Sequence, residues 1–257
     1  MIGTGYDVVL LDLDGTIYRG DVAIPEAPEA VARIRACGVR PVFVTNNSSR
    51  TQAAVASQLS ELGVPATPDE VETSAIVTAR LLASRDSRTV FVIGEDGLID
   101  ALRGAGLKVA REGETSVDAV VVGFDRGLDY PKLRQACLLV ERGAALIATN
   151  ADASFPAADG LWPGAGALLA AVETATGRTA EVIGKPAAPL LEAARERGGG
   201  GVPLVVGDRL DTDIAGAAGL GWDCLLVLTG VTTRADLGAG GPRPTFIVDD
   251  LRDLFPG

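Results

Sequence analysis

Histidine is absent from the 257-residue sequence, and cysteine, methionine and aromatic residues are scarce. The missing histidine excludes Ser-His-Asp and Cys-His catalysis and zinc sites built on imidazole. Carboxylates, lysine, hydroxyl groups and backbone amides are left for any chemistry. The cysteines, Cys37, Cys137 and Cys224, lie far apart in apolar or alanine-rich contexts, so we expect reduced thiols and a cytoplasmic location.

Positive charge and long apolar runs are also in short supply. The formal net charge of −11 argues against a nucleic-acid partner, which would normally leave a basic patch or stripe on the protein. No apolar run approaches ~20 residues, so we expect a soluble protein with no membrane partner. The beginning of the chain has no basic region before its first apolar run, and we therefore expect no signal peptide.

Apolar runs alternate with segments of helical spacing along most of the chain. Val8–Leu11 has no polar interruption and is typical of a strand buried on both faces of a parallel sheet. The same alternation resumes beyond Gly184, while the residues between carry a separate β–α series. We predict an α/β fold with a Rossmann-like parallel-sheet core at 1–76 and 182–257 and an inserted α/β domain at 77–181. The predicted strands are Val8–Leu11, Pro41–Val44, Thr89–Ile93, Ala119–Val122, Ala145–Ala148, Pro203–Val206, Cys224–Leu228 and Thr245–Val248.

Polar side chains collect where the predicted strands end. Asp12 and Asp14 follow the first strand, Thr45 follows the second, and Asp208 follows Pro203–Val206. Ligands of open parallel sheets bind beyond these carboxyl ends, so we expect a site there. Asp12 and Asp14 are two residues apart, so an extended backbone would direct both carboxylates to one side. Such close carboxylates repel each other unless a proton or a hard cation such as Mg²⁺ lies between them.

Each of these groups also has a purely structural interpretation. Asp14-Gly15 is a common turn dipeptide, and Thr45 and Asn46 are good helix N-caps. Asp213 suits the acidic first turn of a predicted helix at 211–218, and Lys185 suits a solvated surface charge. Their combination at four strand or helix ends is what favours phosphoryl transfer.

The motifs resemble those of the haloacid dehalogenase-like phosphatases over essentially the whole chain. Asp12-Leu13-Asp14-Gly15-Thr16 resembles the nucleophile motif DxDGT of that family, and Thr45 resembles its phosphate-binding Ser/Thr. Lys185 resembles the lysine of the family, and Gly207–Asp213 resembles its acidic motif GDxxxTD. The insertion is similar to that of the subgroup with a large α/β cap, type IIA, which includes p-nitrophenyl phosphatase and phosphoglycolate phosphatase.

The resemblance implies a phosphatase that hydrolyses small phosphate monoesters through an aspartyl-phosphate. Asp12 would attack phosphorus, and Asp14 would protonate the leaving oxygen and later take a proton from water. The Thr45 hydroxyl, the Asn46 amide and Lys185 would bind the phosphoryl oxygens.

The cofactor implied by the same resemblance is Mg²⁺. It would be held by the Asp12 carboxylate, the Asp14 backbone carbonyl and Asp208. Asp213 would act from behind these ligands by orienting a metal-bound water.

The inserted domain would be the cap and the specificity element, and the resemblance leaves room for a homodimer formed through it. Arg126 is the one cation that we single out in its polar loops, so we expect a polyol phosphate such as glycerol phosphate, ahead of phosphoglycolate or pyridoxal phosphate. The loop candidates are Asp125, Arg126, Asn150, Asp152 and Ser154, although for each of them a surface turn is the favoured interpretation.

Two other functions stay open at this point. A phosphomutase would use the same nucleophile but return the phosphoryl group to a sugar. A receiver-like signalling module would accept phosphate on an acid at a strand end without being an enzyme.

Overall fold

The computed structural model of the chain describes residues 5–157, 159–238 and 240–254. It divides into two compact units. The first unit comprises Met1–Thr45, Gln52–Glu72 and Lys185–Gly257, and the second comprises Asn46–Thr51 and Thr73–Gly184. Each unit has its own parallel sheet and its own apolar core.

Strands and helices alternate along both units. The strands are β1 (Val8–Asp12), β2 (Tyr18–Arg19), β3 (Val22–Ala23), β4 (Arg40–Thr45), β5 (Val71–Thr73), β6 (Thr89–Ile93), β7 (Lys108–Val109), β8 (Ala119–Val122), β9 (Ala145–Ala148), β10 (Ser154–Ala157), β11 (Gly160–Pro163), β12 (Glu181–Val182), β13 (Pro203–Gly207), β14 (Asp223–Val227) and β15 (Phe246–Val248). The helices are α1 (Ala27–Ala36), α2 (Gln52–Glu61), α3 (Ser74–Ser84), α4 (Asp96–Gly104), α5 (Tyr130–Glu141), α6 (Ala165–Thr176), α7 (Ala188–Arg197) and α8 (Ala215–Gly219).

The larger sheet has the strand order β15-β14-β13-β1-β4-β5 among the described residues. β1 lies between β13 and β4 and is parallel to both. Its four apolar residues are buried because helices cover both faces of a sheet of this type. In the register, Leu11 pairs with Val206 and Asp12 pairs with Val44. The carboxyl ends of β1, β4 and β13 therefore meet at one edge of this sheet.

The second sheet has the order β12-β9-β8-β6-β7, again with parallel neighbours. Its core is formed by apolar side chains of β6, β8 and β9 packed against α5 and α6. Asp129 caps α5 by accepting a hydrogen bond from the Lys132 amide, and Thr73 caps α3 through the Ile76 amide. Gly177 ends α6 in the left-handed conformation that glycine adopts at low cost.

The predicted α/β fold with a Rossmann-like parallel sheet is confirmed, and the predicted strands lie within one residue of the observed bounds. The helix predicted at 211–218 is different. Leu210–Ile214 forms a π-helical turn, and α8 begins only at Ala215. The Ile214 amide donates to the Arg209 carbonyl, five residues back, and this widens the turn around Asp213.

The short strands were not predicted. β2, β3, β7 and β12 have two residues each, which is too short for a periodic pattern to be recognised. Among the described residues, no helix combines the length and the apolar character needed to cross a bilayer.

Candidate functional site

The turn after β1 places two of the predicted acids differently. Asp12 is the last residue of β1 and is partly buried, whereas Asp14 is exposed. Gly15 has φ +86°, a conformation that favours glycine, and its amide donates to the Tyr18 carbonyl at 2.8 Å. The chain thus leaves the sheet after Asp12, and Asp14 lies at the start of the turn that follows.

Lys185 connects Asp12 to Asp213. Its Nζ lies 2.5 Å from Asp12 Oδ1 and 2.6 Å from Asp213 Oδ1, and its side chain is only 3% exposed. Burial lowers the pKa of Lys185, but the two carboxylates outweigh burial and the net shift of this pKa is upward. The lysine is therefore held as an ammonium ion.

Asp208 directly follows β13 and is fully buried. Its Oδ2 accepts a hydrogen bond from the Val231 amide at 2.6 Å. No donor reaches its Oδ1 in the part of the chain that the structure describes. Burial, followed by the charge of Asp213, raises the pKa of Asp208 to about 6.

Three carboxylates face one another at this edge of the sheet. One oxygen from each of Asp12, Asp208 and Asp213 can be chosen so that all three lie within 4.8 Å of one another. Burial raises the pKa of Asp12 well above its ordinary value, and Asp213 and Asp208 raise it further against the opposing effect of Lys185. A buried carboxylate oxygen without a donor, beside two further acids, fits a hard cation that prefers oxygen ligands.

Asp213 differs from Asp208 in that both of its oxygens have partners. Oδ1 is bound by Lys185, and Oδ2 accepts from the Arg209 amide at 3.2 Å and from the Thr212 hydroxyl at 3.4 Å. Asp208 therefore offers a cation an oxygen that no described residue reaches with a hydrogen-bond donor, whereas Asp213 binds the lysine.

Thr45 ends β4 on the strand next to Asp12 and is buried. The first unit therefore gathers six of the predicted residues at one sheet edge. They are Asp12, Asp14, Thr45, Lys185, Asp208 and Asp213.

Asn46 follows Thr45 in the chain but belongs to the second unit, where it meets two predicted loop residues. Its carbonyl accepts from Ser74 Oγ at 2.7 Å and from Asn150 Nδ2 at 2.8 Å, and its own Nδ2 donates to Asp152 Oδ2 at 3.1 Å. The Asp152 amide in turn donates to Asn150 Oδ1 at 3.1 Å. The side chain of Asn150 is thus hydrogen-bonded to the backbone of both Asn46 and Asp152.

Two more of the predicted loop residues, Arg126 and Asp125, are paired with residues that the sequence analysis did not predict. Arg126 binds Glu95 with two parallel contacts, Nε to Oε1 at 2.8 Å and Nη2 to Oε2 at 2.9 Å. These hydrogen bonds lower the pKa of Glu95. Asp125 Oδ2 accepts from Lys132 Nζ at 2.5 Å and from the Gly94 amide at 3.1 Å. Arg126 is therefore a compensated charge.

The loop at 229–232, which supplies the amide that binds Asp208, was not predicted from the sequence. A signal was available, because this loop follows β14 in the same way that Asp12 and Asp208 follow their strands. Gly230 within it approaches Asp208 so closely that an added Cβ would overlap the carboxylate.

Comparison with known proteins agrees with this geometry. A family model described as haloacid dehalogenase-like hydrolase matches residues 9–108, and a second, described as HAD-hydrolase-like, matches residues 182–254. The D-glycerol 3-phosphate phosphatase of Mycobacterium tuberculosis is 41% identical over 98% of this chain and 72% of its own length. The 5′-nucleotidase YutF of Bacillus subtilis is 40% identical over 98% of each chain.

Comparison with solved structures identifies the same kind of protein, a phosphatase. The crystal structure of glycerol phosphate phosphatase from Mycobacterium tuberculosis in complex with magnesium superposes with a TM-score of 0.91 at 41% identity, covering 97% of this chain and 76% of that one. The chain belongs to the haloacid dehalogenase-like hydrolase family. The family predicted from the motifs is confirmed.

Proposed function

We propose that this chain is a Mg²⁺-dependent phosphatase that hydrolyses small phosphate monoesters through an aspartyl-phosphate on Asp12. The observation that carries the proposal is the pairing of Asp12 with Lys185, next to a buried Asp208 oxygen that has no hydrogen-bond donor among the described residues. Relatives named as a phosphatase and a nucleotidase support hydrolysis of a phosphoric monoester as the class of reaction.

The chemistry assigned to Asp12 and Asp14 proceeds in two steps. An Asp12 oxygen bonds to phosphorus while the ester P–O bond breaks, and Asp14 gives its proton to the leaving alkoxide. Water then attacks the same phosphorus, the bond to Asp12 breaks, and Asp14 takes back a proton as phosphate leaves. The exposed position of Asp14 suits this exchange of protons with the ester and with water.

Phosphoryl oxygens would be bound by Lys185, the Thr45 hydroxyl and the Asn46 amide. Lys185 is pre-oriented because Asp12 and Asp213 hold its ammonium group from two sides. Its charge offsets the repulsion between an anionic nucleophile and an anionic ester.

Mg²⁺ would be held by the Asp12 carboxylate, the Asp14 carbonyl and Asp208. When bound, it would supply additional positive charge against the transferring phosphoryl group. This assignment is supported by Oδ1 of Asp208, which has no hydrogen-bond donor in the described part of the chain. The two occupied oxygens of Asp213 support a position behind the ligands, as expected for a residue that orients other groups.

The inserted domain at 77–181 is proposed as the cap that selects the substrate, with Asp125, Arg126, Asn150 and Asp152 as the candidates. The cations Arg126 and Lys132 are already paired with Glu95 and Asp125. Because both cations already bind carboxylates, neither is available to neutralise a leaving group that carries its own negative charge. We therefore favour a polyol phosphate such as glycerol phosphate over phosphoglycolate.

We also propose a homodimer formed through this domain and a cytoplasmic location. Exposed Tyr130 and Leu138 on α5 support the first, and three free cysteines support the second. Light scattering on the purified protein would test the dimer, and a monomer at all concentrations would contradict it.

Phosphate release with and without Mg²⁺ tests the function directly. Wild-type enzyme should release inorganic phosphate from glycerol phosphate, lose this activity in EDTA and regain it with Mg²⁺. Asp12→Asn should lower kcat by a factor on the order of 10⁴ or more, because the nucleophile is removed. Asp100→Asn, which changes an exposed acid on α4, is the matched control and should leave kcat unchanged.

Three outcomes would contradict the proposal. Retained activity in Asp12→Asn would refute the nucleophile, and transfer of phosphate to a second sugar instead of water would indicate a mutase. An aspartyl-phosphate that persists for minutes would indicate a receiver-like module. A panel of phosphate esters compared by kcat/KM tests the substrate, and a preference for phosphoglycolate would overturn our choice.

A further inference from the structure

The loop after β14 binds the turn that carries the first two acids. Thr229 Oγ1 donates a hydrogen bond to the Gly15 carbonyl at 2.7 Å. Gly15 immediately follows Asp14 and lies in the turn after β1. The hydroxyl of Thr229 is therefore connected directly to the backbone that positions Asp12 and Asp14.

The same loop also determines the orientation of Asp208. The Val231 amide donates to Asp208 Oδ2 at 2.6 Å, and the Thr232 amide donates to the Asp208 carbonyl at 3.2 Å. Thr232 Oγ1 then accepts from the Leu210 amide at 3.3 Å. One carboxylate oxygen of Asp208 is thus bound by the loop while Oδ1 is left for another partner.

Close packing prevents the loop from moving independently of Asp208. A Cβ added to Gly230 would overlap the Asp208 carboxylate, and one added to Gly15 would overlap the same carboxylate and lie 3.0 Å from the Gly230 Cα. Gly15, Gly230 and Asp208 therefore form one tightly packed group. A shift of the loop would displace the carboxylate with it.

Arg19 also binds the loop after β14. Its Nε donates to the Thr229 carbonyl at 2.7 Å, and its Nη2 donates to the same oxygen. Arg19 lies in β2, which pairs with β3 in the hairpin that follows the Gly15 turn. Both the side chain and the carbonyl of Thr229 are consequently bound to the segment downstream of Asp14.

We propose that Thr229 is a positioning residue for the cation site. Through its bond to the Gly15 carbonyl it fixes the distance between the segment that holds Asp208 and the turn that holds Asp12 and Asp14. The oxygens expected to hold Mg²⁺ come from these two segments, so their spacing depends on this bond. The inference rests on the proposed function in that the bound cation is Mg²⁺.

Thr229→Val tests this with little change in side-chain shape. Without the hydroxyl, the Kd for Mg²⁺ should rise about 10- to 100-fold, the usual effect of removing a group that orients a metal ligand. The value of kcat at saturating Mg²⁺ should change far less. Thr229→Ser keeps a hydroxyl and should restore affinity to near the wild-type value.

The control is Thr233→Val. The Thr233 hydroxyl bonds Asp236 Oδ2 at 2.6 Å, not the Gly15 turn, so this variant should bind Mg²⁺ like the wild type. Mg²⁺ affinity is measured by isothermal titration calorimetry on the full chain without substrate. Wild-type affinity in folded Thr229→Val would overturn the proposal.

Arg19→Met is the second variant, and it decides the question if circular dichroism shows that Thr229→Val is unfolded. It removes the contacts to the Thr229 carbonyl from an exposed side chain, so the fold should persist and the Kd for Mg²⁺ should rise. Unchanged affinity would then overturn the proposal. If wild-type protein itself bound no Mg²⁺, the proposed function would fail first, which separates that failure from a failure at Thr229.

Discussion

Lys185 and Asp213 form a buried ion pair, with Nζ 2.6 Å from Oδ1 and side-chain exposures of 3% and 1%. The same ammonium group also binds Asp12. One lysine thus compensates two carboxylates, and these lie beside a third, Asp208. These three carboxylates have more negative charge than Lys185 can neutralise. We therefore expect the stability of the protein to depend both on pH and on a bound cation.

Lys185→Met should destabilise the metal-free protein by about 3–5 kcal/mol at pH 8, because it leaves buried carboxylates without their cation. Phosphatase activity should be lost as well. Lys108→Met is the control, since Lys108 forms an exposed pair with Glu114 and should change stability by about 1 kcal/mol or less. Urea unfolding measures both, and equal effects of the two variants would contradict the role of Lys185.

Mg²⁺ should stabilise the protein more at pH 8 than at pH 5. Burial and Asp213 raise the pKa of Asp208 from 3.8 to about 6, so folding favours its protonated form. The contribution of this group to stability therefore falls as pH rises from about 4 through 6, and Mg²⁺, which binds the deprotonated form, reverses that loss.

Thermal unfolding with and without Mg²⁺ across this pH range measures the effect. Asp208→Asn should abolish the Mg²⁺-dependent rise in Tm. A rise in Tm that is the same at pH 5 and pH 8 in the wild type would show that the buried carboxylates do not hold the cation.

Asp14→Asn should affect esters according to their leaving groups. A general acid contributes roughly 10²–10⁴-fold, and it matters most when the leaving alkoxide is a strong base. We therefore expect kcat/KM to fall far more for glycerol phosphate than for p-nitrophenyl phosphate. Equal losses for both substrates would indicate that Asp14 does not protonate the leaving oxygen.

Asn150→Ala should weaken phosphate binding and lower stability. The Asn150 amide and the Ser74 hydroxyl both donate to the Asn46 carbonyl, so removing the amide loosens the backbone proposed to bind phosphoryl oxygens. A cost of about 1–3 kcal/mol is expected for disturbing these buried bonds, together with a higher Ki for inorganic phosphate.

Asp152→Asn is the milder comparison for Asn150→Ala. Its amide oxygen can still accept from Asn46 Nδ2, so Ki should stay closer to the wild-type value. If inorganic phosphate inhibited both variants with the Ki of the wild type, Asn46 would have no part in binding phosphate.

The sequence by itself determined the fold class and the family. Uninterrupted apolar runs such as Val8–Leu11 and Ala119–Val122 indicate strands that are buried on both faces of a sheet, and such runs can be recognised from neighbouring residues alone. The order of the motifs containing Asp12, Thr45 and Asp208 was also readable directly, since each follows such a run. These features need no knowledge of which strands are neighbours. The roles assigned to the individual acids remain predictions.

Only the tertiary structure decided which side chains meet. Lys185 binds Asp12 across 173 residues of sequence, and Thr229 binds the Gly15 carbonyl across 214. The pairing of Arg126 with Glu95 likewise turned a predicted cation into a compensated one. Such contacts depend on strand order and register, which arise from long-range pairing. A local pattern shows that a residue lies at the end of a strand, but which side chain it contacts there depends on which strand is its neighbour.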